Sequence, residues 1–261
     1  MEPMNFKTNI VEVTTENLSK HPQSICFINP KHESYHKKLE WLTEQFKHGL
    51  KIKLLYIDIE KRPVGFIEYV PGEYCWRSVS ASGYMFIHCL WINGKKYHHH
   101  GLGSLLIEEA EKDAANMLGV AVVASRNAFM ADSGIFYKNG YKTIAESGHE
   151  QLLAKTFKSG SLPTINDWQA ALKTYNGLTI VYSRQCPWAA RFMDEVKPIL
   201  EKEGLEPTVI EIKTAGQAQK ALSLYGVFNL IYNGNLLADR YISTTRFLNI
   251  LKKDIKPGMK L

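Results

Sequence analysis

A polar, glycine-containing turn at residues 97–104, Tyr-His-His-His-Gly-Leu-Gly-Ser, divides two segments of opposite character. Before it lies a nearly continuous apolar run at 84–92 (YMFIHCLWI), the pattern of a strand buried on both faces. After it, at 104–118, Leu105, Leu106, Ala110, Ala114 and Met117 mark one helical face. Glu108, Glu109, Glu111 and Lys112 mark the other. A strand–turn–helix junction leaves the first helical amides without partners, and the helix dipole adds partial positive charge there. Such a site suits an anion, a pyrophosphate in particular. Gly101 and Gly103 lack the Cβ atoms that would hold phosphates away. His98, His99, His100, Leu102 and Ser104 complete the turn.

Other chemistries fit this segment poorly. A Walker loop needs a lysine after its last glycine, and Gly103-Ser104 is followed by leucine. A Rossmann turn needs a small residue at position 106, which is also leucine. Three consecutive histidines point in different directions and do not converge on one ion, so no metal is expected there. The four cysteines, Cys26, Cys75, Cys89 and Cys186, show no Cys-x-x-Cys spacing.

The elements that must position this turn alternate along the first half. Strands are predicted at 51–59, 63–70, 84–92 and 120–125, and from 141 onward. Helices are predicted at 32–47, at 104–118 with Gly119 as its stop, and at 131–139 before Gly140. A Lys-Ser-Gly-Ser-Leu-Pro-Thr stretch then breaks the pattern. The second half restarts with a strand at 178–182, a helix at 187–203 and a strand at 207–212. A helix at 215–224 precedes two strands around Asn233-Gly234, a hairpin signal, and a closing helix at 243–253. The expected organisation is a first domain at 1–155, a linker at 156–166 and a second domain at 167–261. A length of 261 residues suits two domains.

Composition narrows the partners. Hydrophobic residues make up 45% and charged residues 22%, the balance of a globular protein. The net charge of +6 is spread among interleaved acids and bases, which argues against a nucleic-acid face and leaves room for steering an anionic ligand. No apolar run approaches the length of a membrane span. The first residues lack a basic patch followed by an apolar stretch. A cytoplasmic protein with reduced thiols is expected.

The stretch His98-x-x-Gly101-x-Gly103 resembles the Gln/Arg-x-x-Gly-x-Gly/Ala signature of the GNAT family of N-acetyltransferases. Asn127 and the run ADSGIFYKNGY at 131–141 resemble that family's Asn…Phe-Tyr-x-x-x-Gly-Phe region. The resemblance covers residues 10–145, and His98 departs from it, since the family carries Gln or Arg there. It implies an α/β (α+β) fold with a mixed sheet flanked by helices. It implies acetyl-coenzyme A as cosubstrate, bound by the 98–104 turn, by Asn127 and by the backbone of Leu90, Trp91 and Ile92, which would pair with pantetheine as an added strand. It further implies acetyl transfer to a primary amine of a small-molecule or peptide acceptor.

Tyr137 is implied as the proton donor to the leaving thiolate, with packing against the pantetheine arm as the alternative. For the base, Glu68 in its apolar Phe-Ile-Glu-Tyr run, His88 and a water relay all stay open. Cys89 is read as a small buried hydrophobe or as a covalent acyl carrier. In the second half, residues 179–188 resemble the start of a thioredoxin-like domain, with Cys186-Pro187 at a helix N-terminus, a position that lowers a thiol pKa. Alanine at 189 replaces the resolving cysteine, and no proline precedes the third strand at 226–230. The pairing of the two halves is similar to YoaP-type proteins. Two other functions therefore stand beside acetyl transfer: a thiol-based redox or sensing protein using Cys186, and a non-catalytic coenzyme A-binding module.

Overall fold

In the computed structural model, which describes residues 6–22, 26–125 and 131–256, the β-branched and aromatic runs of the first half join one seven-stranded sheet. In chain order the elements are β1 (Thr8–Val13), α1 (Glu33–Phe46), β2 (Lys51–Ile57), β3 (Gly65–Pro71), β4 (Val79–Ser80), β5 (Tyr84–Ile92) and α2 (Leu102–Asp113). They continue as β6 (Gly119–Ser125), α3 (Ser133–Lys138), β7 (Lys142–Ser147) and β8 (Glu150–Thr156). The strand order is β1-β2-β3-β5-β6-β8-β7. One pair, β5 with β6, is parallel, as a crossover through α2 requires. The mixed sheet flanked by helices is the expected fold class.

Two irregularities of β5 shape the site. Its pairing with β6 stops at Ile87 and Val122, yet β5 continues along β3 to Ile92 and β6 continues along β8 to Ser125. The two strands therefore part, and a wedge opens between them. The register with β3 slips at the same level: Glu68 pairs with Cys89 and Tyr69 with Ile87, leaving His88 as the extra residue of a bulge.

The two faces of the sheet bury different partners. On one, Leu102, Leu106, Ile107 and Ala110 of α2 and Phe136 of α3 pack on Ile67, Ile87 and Val122. On the other, Trp41 and Leu42 of α1 pack with Phe66, Phe86 and Val123, and with Leu224, Tyr225 and Val227 of the second half.

Helix α2 is shorter than the 104–118 pattern predicts. It ends at Asp113, and the Leu118 amide turns to the Gly83 carbonyl at 2.8 Å instead of continuing the helical ladder. The Gly/Ser/Pro stretch is tied down on both sides. The Phe157 amide bonds the Leu118 carbonyl, and β9 (Thr164–Ile165) pairs with β4.

The second half contains α4 (Gln169–Leu172), β10 (Leu178–Ser183), α5 (Pro187–Lys202), β11 (Thr208–Ile212), α6 (Ala215–Ala218), β12 (Phe228–Tyr232), β13 (Asn235–Ala238) and α7 (Thr244–Ile250). Its four strands order β11-β10-β12-β13, with β10 and β11 parallel and the other pairs antiparallel. Phe192 of α5 meets Phe228 and Phe247 edge-on at 5.0 and 5.5 Å, closing a separate small core. Pro187 sits in the first turn of α5, where its missing N–H costs nothing. Asn233 and Gly234 both take positive φ, 47° and 74°, as the β12–β13 turn demands. The predicted helix at 215–224 is confined to the short α6.

Candidate functional site

Helix α2 begins without a side-chain cap. Its N-cap is Gly101, in the left-handed region at φ 77°, and the first bond to that residue comes from the Leu105 amide to the Gly101 carbonyl. The amides of Leu102, Gly103 and Ser104 are thus left for a ligand, on the positive end of the helix. The two glycines serve different needs. A Cβ at Gly101 would meet nothing within 4 Å, so the backbone conformation is what selects glycine. A Cβ at Gly103 would stand 2.5 Å from Ile135 Cδ1, so this glycine lets α3 close on α2. Asn139 at the end of α3 donates to Ser104 Oγ at 3.0 Å and locks that approach.

A cavity of about 630 Å³ opens at this junction. Leu90, Trp91 and Ile92 of β5 line one side; His98, His99, Gly101, Leu102, Gly103 and Ser104 line the turn; Ile135 and Lys138 of α3 close it. This brings together nearly the whole set expected to bind the cofactor. His98 Nε2 lies 3.2 Å from the Ile92 carbonyl, so the ring bridges turn and strand. His100 is not among the described lining residues; its ring packs edge-on against Phe6 at 5.4 Å. Tyr137 also stands off the lining. It is 38% exposed, and its hydroxyl is 2.9 Å from both Thr143 Oγ1 and Gln151 Oε1. Asn127 lies outside the described residues.

The other side of the sheet, behind the bulge, holds a buried polar network. Lys38 Nζ of α1 sits 2.6 Å from Glu68 Oε2 and donates to the Gln185 carbonyl at 2.7 Å. Gln185 Nε2 donates to Glu68 Oε1 at 2.8 Å, and His88 Nδ1 lies 3.2 Å from the same oxygen. His88 Nε2 accepts from the Trp76 amide at 2.9 Å, which fixes the tautomer with the proton on Nδ1. Arg77 donates to the His88 carbonyl at 2.7 Å and to Gln185 Oε1 at 3.3 Å. Its guanidinium also stacks on Tyr225.

Burial pushes the Glu68 carboxyl up, but Lys38 and His88 outweigh it and bring its pKa to about 2. Burial lowers His88 to about 4 against the pull of Glu68. Both base candidates are therefore committed: Glu68 is an ion-paired carboxylate, and neither ring nitrogen of His88 is open.

One carboxyl escaped the sequence reading. Glu150 opens β8 opposite Ser125, at the free end of β6, and is 4% exposed. Burial, helped by Asp239, raises its pKa to about 7 against Arg240, Arg77 and the Tyr225 amide. Its Oε1 has no hydrogen-bond partner, and Arg240 Nη2 is 3.9 Å away. The only sequence signal is an acid heading an apolar strand, which does not separate it from a surface residue. A second cavity of about 700 Å³, lined by His149, Asp239, Arg240 and Arg246 among others, lies beside it.

Cys186 is the N-cap residue of α5, as expected, but burial raises its thiol pKa against the amides at the helix start. The position that lowers a thiol pKa in open solvent does not do so here.

Residues 16–141 match the profile of the Acetyltransferase (GNAT) family. Over that region the chain is similar to GNAT acetyltransferases, and the match spans α1 through α3 with the wedge and the turn inside it. A curated relative, an uncharacterized N-acetyltransferase YoaP of Bacillus subtilis, is 25% identical over 250 residues and covers 92% of this chain and 97% of its own. Two solved structures are matched over 58% of this chain. A PaiA N-acetyltransferase of Thermoplasma acidophilum in complex with coenzyme A is 18% identical, covering 58% of this chain and 99% of its own, with a TM-score of 0.40. A putative streptothricin acetyltransferase of Bacillus anthracis in complex with acetyl coenzyme A is 18% identical, covering 58% and 100%, with a TM-score of 0.40.

Proposed function

We propose that the protein transfers an acetyl group from acetyl-coenzyme A to a primary amine, with the pyrophosphate on the uncapped start of α2. The observation that carries this reading is the cavity joining the free amides of 102–104 to the partly exposed stretch Leu90-Trp91-Ile92 of β5. Pantetheine laid along 90–92 would enter the wedge between β5 and β6 and deliver its thioester toward the bulge at His88. Lys138 and the turn histidines would face the phosphates.

Tyr137 is proposed as the proton donor to the thiolate. It is partly exposed, and its neighbours Ile135 and Lys138 line the cavity. Its hydroxyl would exchange the Gln151 contact for the sulfur as the cofactor enters. Glu68 and His88 act by holding β5 rather than by taking protons. Glu150 suits the base, since it is buried, has a free oxygen and titrates near neutrality. A cytoplasmic setting, where thiols stay reduced, suits four free cysteines.

Release of free coenzyme A from acetyl-coenzyme A, followed over a panel of primary amines, tests the reading. Amine-dependent thiol release supports it, and none over the whole panel counts against it. Loss of the high-pH half of the rate profile in Glu150→Gln identifies the base; an unchanged profile returns that role to water.

A further inference from the structure

The cavity of about 700 Å³ lies where the two halves meet. His149 of the β7–β8 hairpin forms one wall, and residues 236–246 of the second half form the rest. Ser125, the last residue of β6, donates from Oγ to the His149 carbonyl at 2.8 Å and pairs with Glu150. The cavity therefore stands beside the free end of the strand that bounds the wedge.

It belongs to the α1 face of the sheet. Glu150 alternates along β8 with Leu152 and Ala154, which pack with Phe86 and Val123 on that face. Arg240, a wall of the cavity, reaches Glu150 there, with Nη2 3.9 Å from Oε1. The cofactor cavity is built from α2 and α3, on the other face. Two cavities thus approach the same wedge from opposite faces.

The charges around the second cavity differ in how they are engaged. Arg240 is held by Asp239, Nε to Oδ1 at 2.9 Å and Nη2 to Oδ2 at 3.2 Å. Arg246 is exposed, and its side chain has no ion-pair or hydrogen-bond partner among the described residues. Glu150 is 4% exposed, and its Oε1 has no hydrogen-bond partner. A free guanidinium suits an anion, and a free buried carboxylate oxygen suits an ammonium. Leu236, Leu237 and Ile242 add apolar wall, and the volume falls within the range of about 300–1,000 Å³ of small-molecule sites.

We propose that this cavity binds a small amino acid as the acetyl acceptor, with its carboxylate on Arg246, its apolar body against Leu236, Leu237 and Ile242, and its ammonium at Glu150. The second half then selects the acceptor. The role as acceptor rests on the acetyl-transfer reading; the binding of an amino acid does not. Glu150 takes one ammonium proton and releases it to solvent. The amine nitrogen bonds the thioester carbonyl carbon and the C–S bond breaks. The second proton lost by nitrogen balances the one the leaving thiolate takes up, so one proton is released per amide formed.

The experiment compares matched pairs on the full chain: L-leucine with isoamylamine, and L-phenylalanine with phenethylamine. Each pair shares a body and differs in the carboxylate. In thiol release from acetyl-coenzyme A, the amino acid should exceed its amine by about tenfold or more in kcat/KM, through a lower KM. Arg246→Gln should cut that preference by about tenfold, and Arg246→Lys should keep most of it. Arg246 is exposed, so neither change disturbs the core. A preference for the amines, or one that Arg246→Gln leaves unmoved, would overturn the proposal. Isothermal titration with the two amino acids reads binding without turnover. Heat that vanishes in Arg246→Gln, in protein that releases no thiol with any amine, supports the amino acid site and removes the acetyl-transfer reading. Thiol release with other amines, but no heat and no turnover with either amino acid, would overturn the site and leave that reading standing.

Discussion

Lys38 Nζ and Glu68 Oε2 meet at 2.6 Å with both side chains out of solvent, and Gln185 of the second half completes the pair from across the interface. A buried pair of this kind contributes little net stability when intact, yet removing one partner strands the other. Lys38→Met should therefore cost about 3–5 kcal/mol in urea unfolding. Adding Glu68→Gln should restore most of that loss. A single variant as stable as the parent would contradict the geometry.

The titrating groups divide by sign. Glu68 falls to about 2 from an ordinary 4.5, so its stabilisation is present above pH 4.5 and lost as pH falls toward 2. His88, lowered from 6.5 to about 4, works in the same sense, since the unfolded chain takes up a proton first as pH drops. Glu150 works oppositely. Raised from 4.5 to about 7, it stabilises below pH 4.5 and loses that contribution as pH rises through 7. Relative to the parent, Glu150→Gln should gain about 3 kcal/mol between pH 4.5 and pH 8 in chemical denaturation. A pH-independent difference between the two would show that Glu150 titrates normally.

Much of this arrangement could be read from residue patterns, and the reason lies in how local each feature is. The strand at 84–92, the turn at 101–103, the Asn233-Gly234 hairpin and Pro187 at the start of α5 are set by neighbours within a few positions. The roles of Glu68, His88 and Glu150 are not. An acid within Phe-Ile-Glu-Tyr becomes an ion-pair partner only when α1 places Lys38 and β10 leads into Gln185, 30 and 117 residues away. Gly103 was legible as a glycine that must stay small, but the atom it makes room for, Ile135 Cδ1, belongs to another helix.

Gly101 is held in the left-handed region, so Gly101→Ala should cost about 1 kcal/mol in stability. It should weaken acetyl-coenzyme A binding by about tenfold, since the amides that follow would be displaced. Thermal unfolding with and without cofactor separates the two effects. Unchanged affinity would mean that the phosphates do not sit on this turn.

Tyr137→Phe removes the hydroxyl that contacts Thr143 and Gln151. With Tyr137 as donor, kcat should fall by about a hundredfold while the KM for acetyl-coenzyme A stays level. A loss of stability with unchanged kcat would make Tyr137 a brace between α3 and the β7–β8 pair.

The central claim is that the cavity between Leu90–Ile92 and the start of α2 receives acetyl-coenzyme A. Isothermal titration of the full chain with acetyl-coenzyme A tests it most directly. The prediction is one site per chain with a Kd of about 1 mM or tighter. Absence of heat at millimolar cofactor, with folding verified in the same sample, would contradict it.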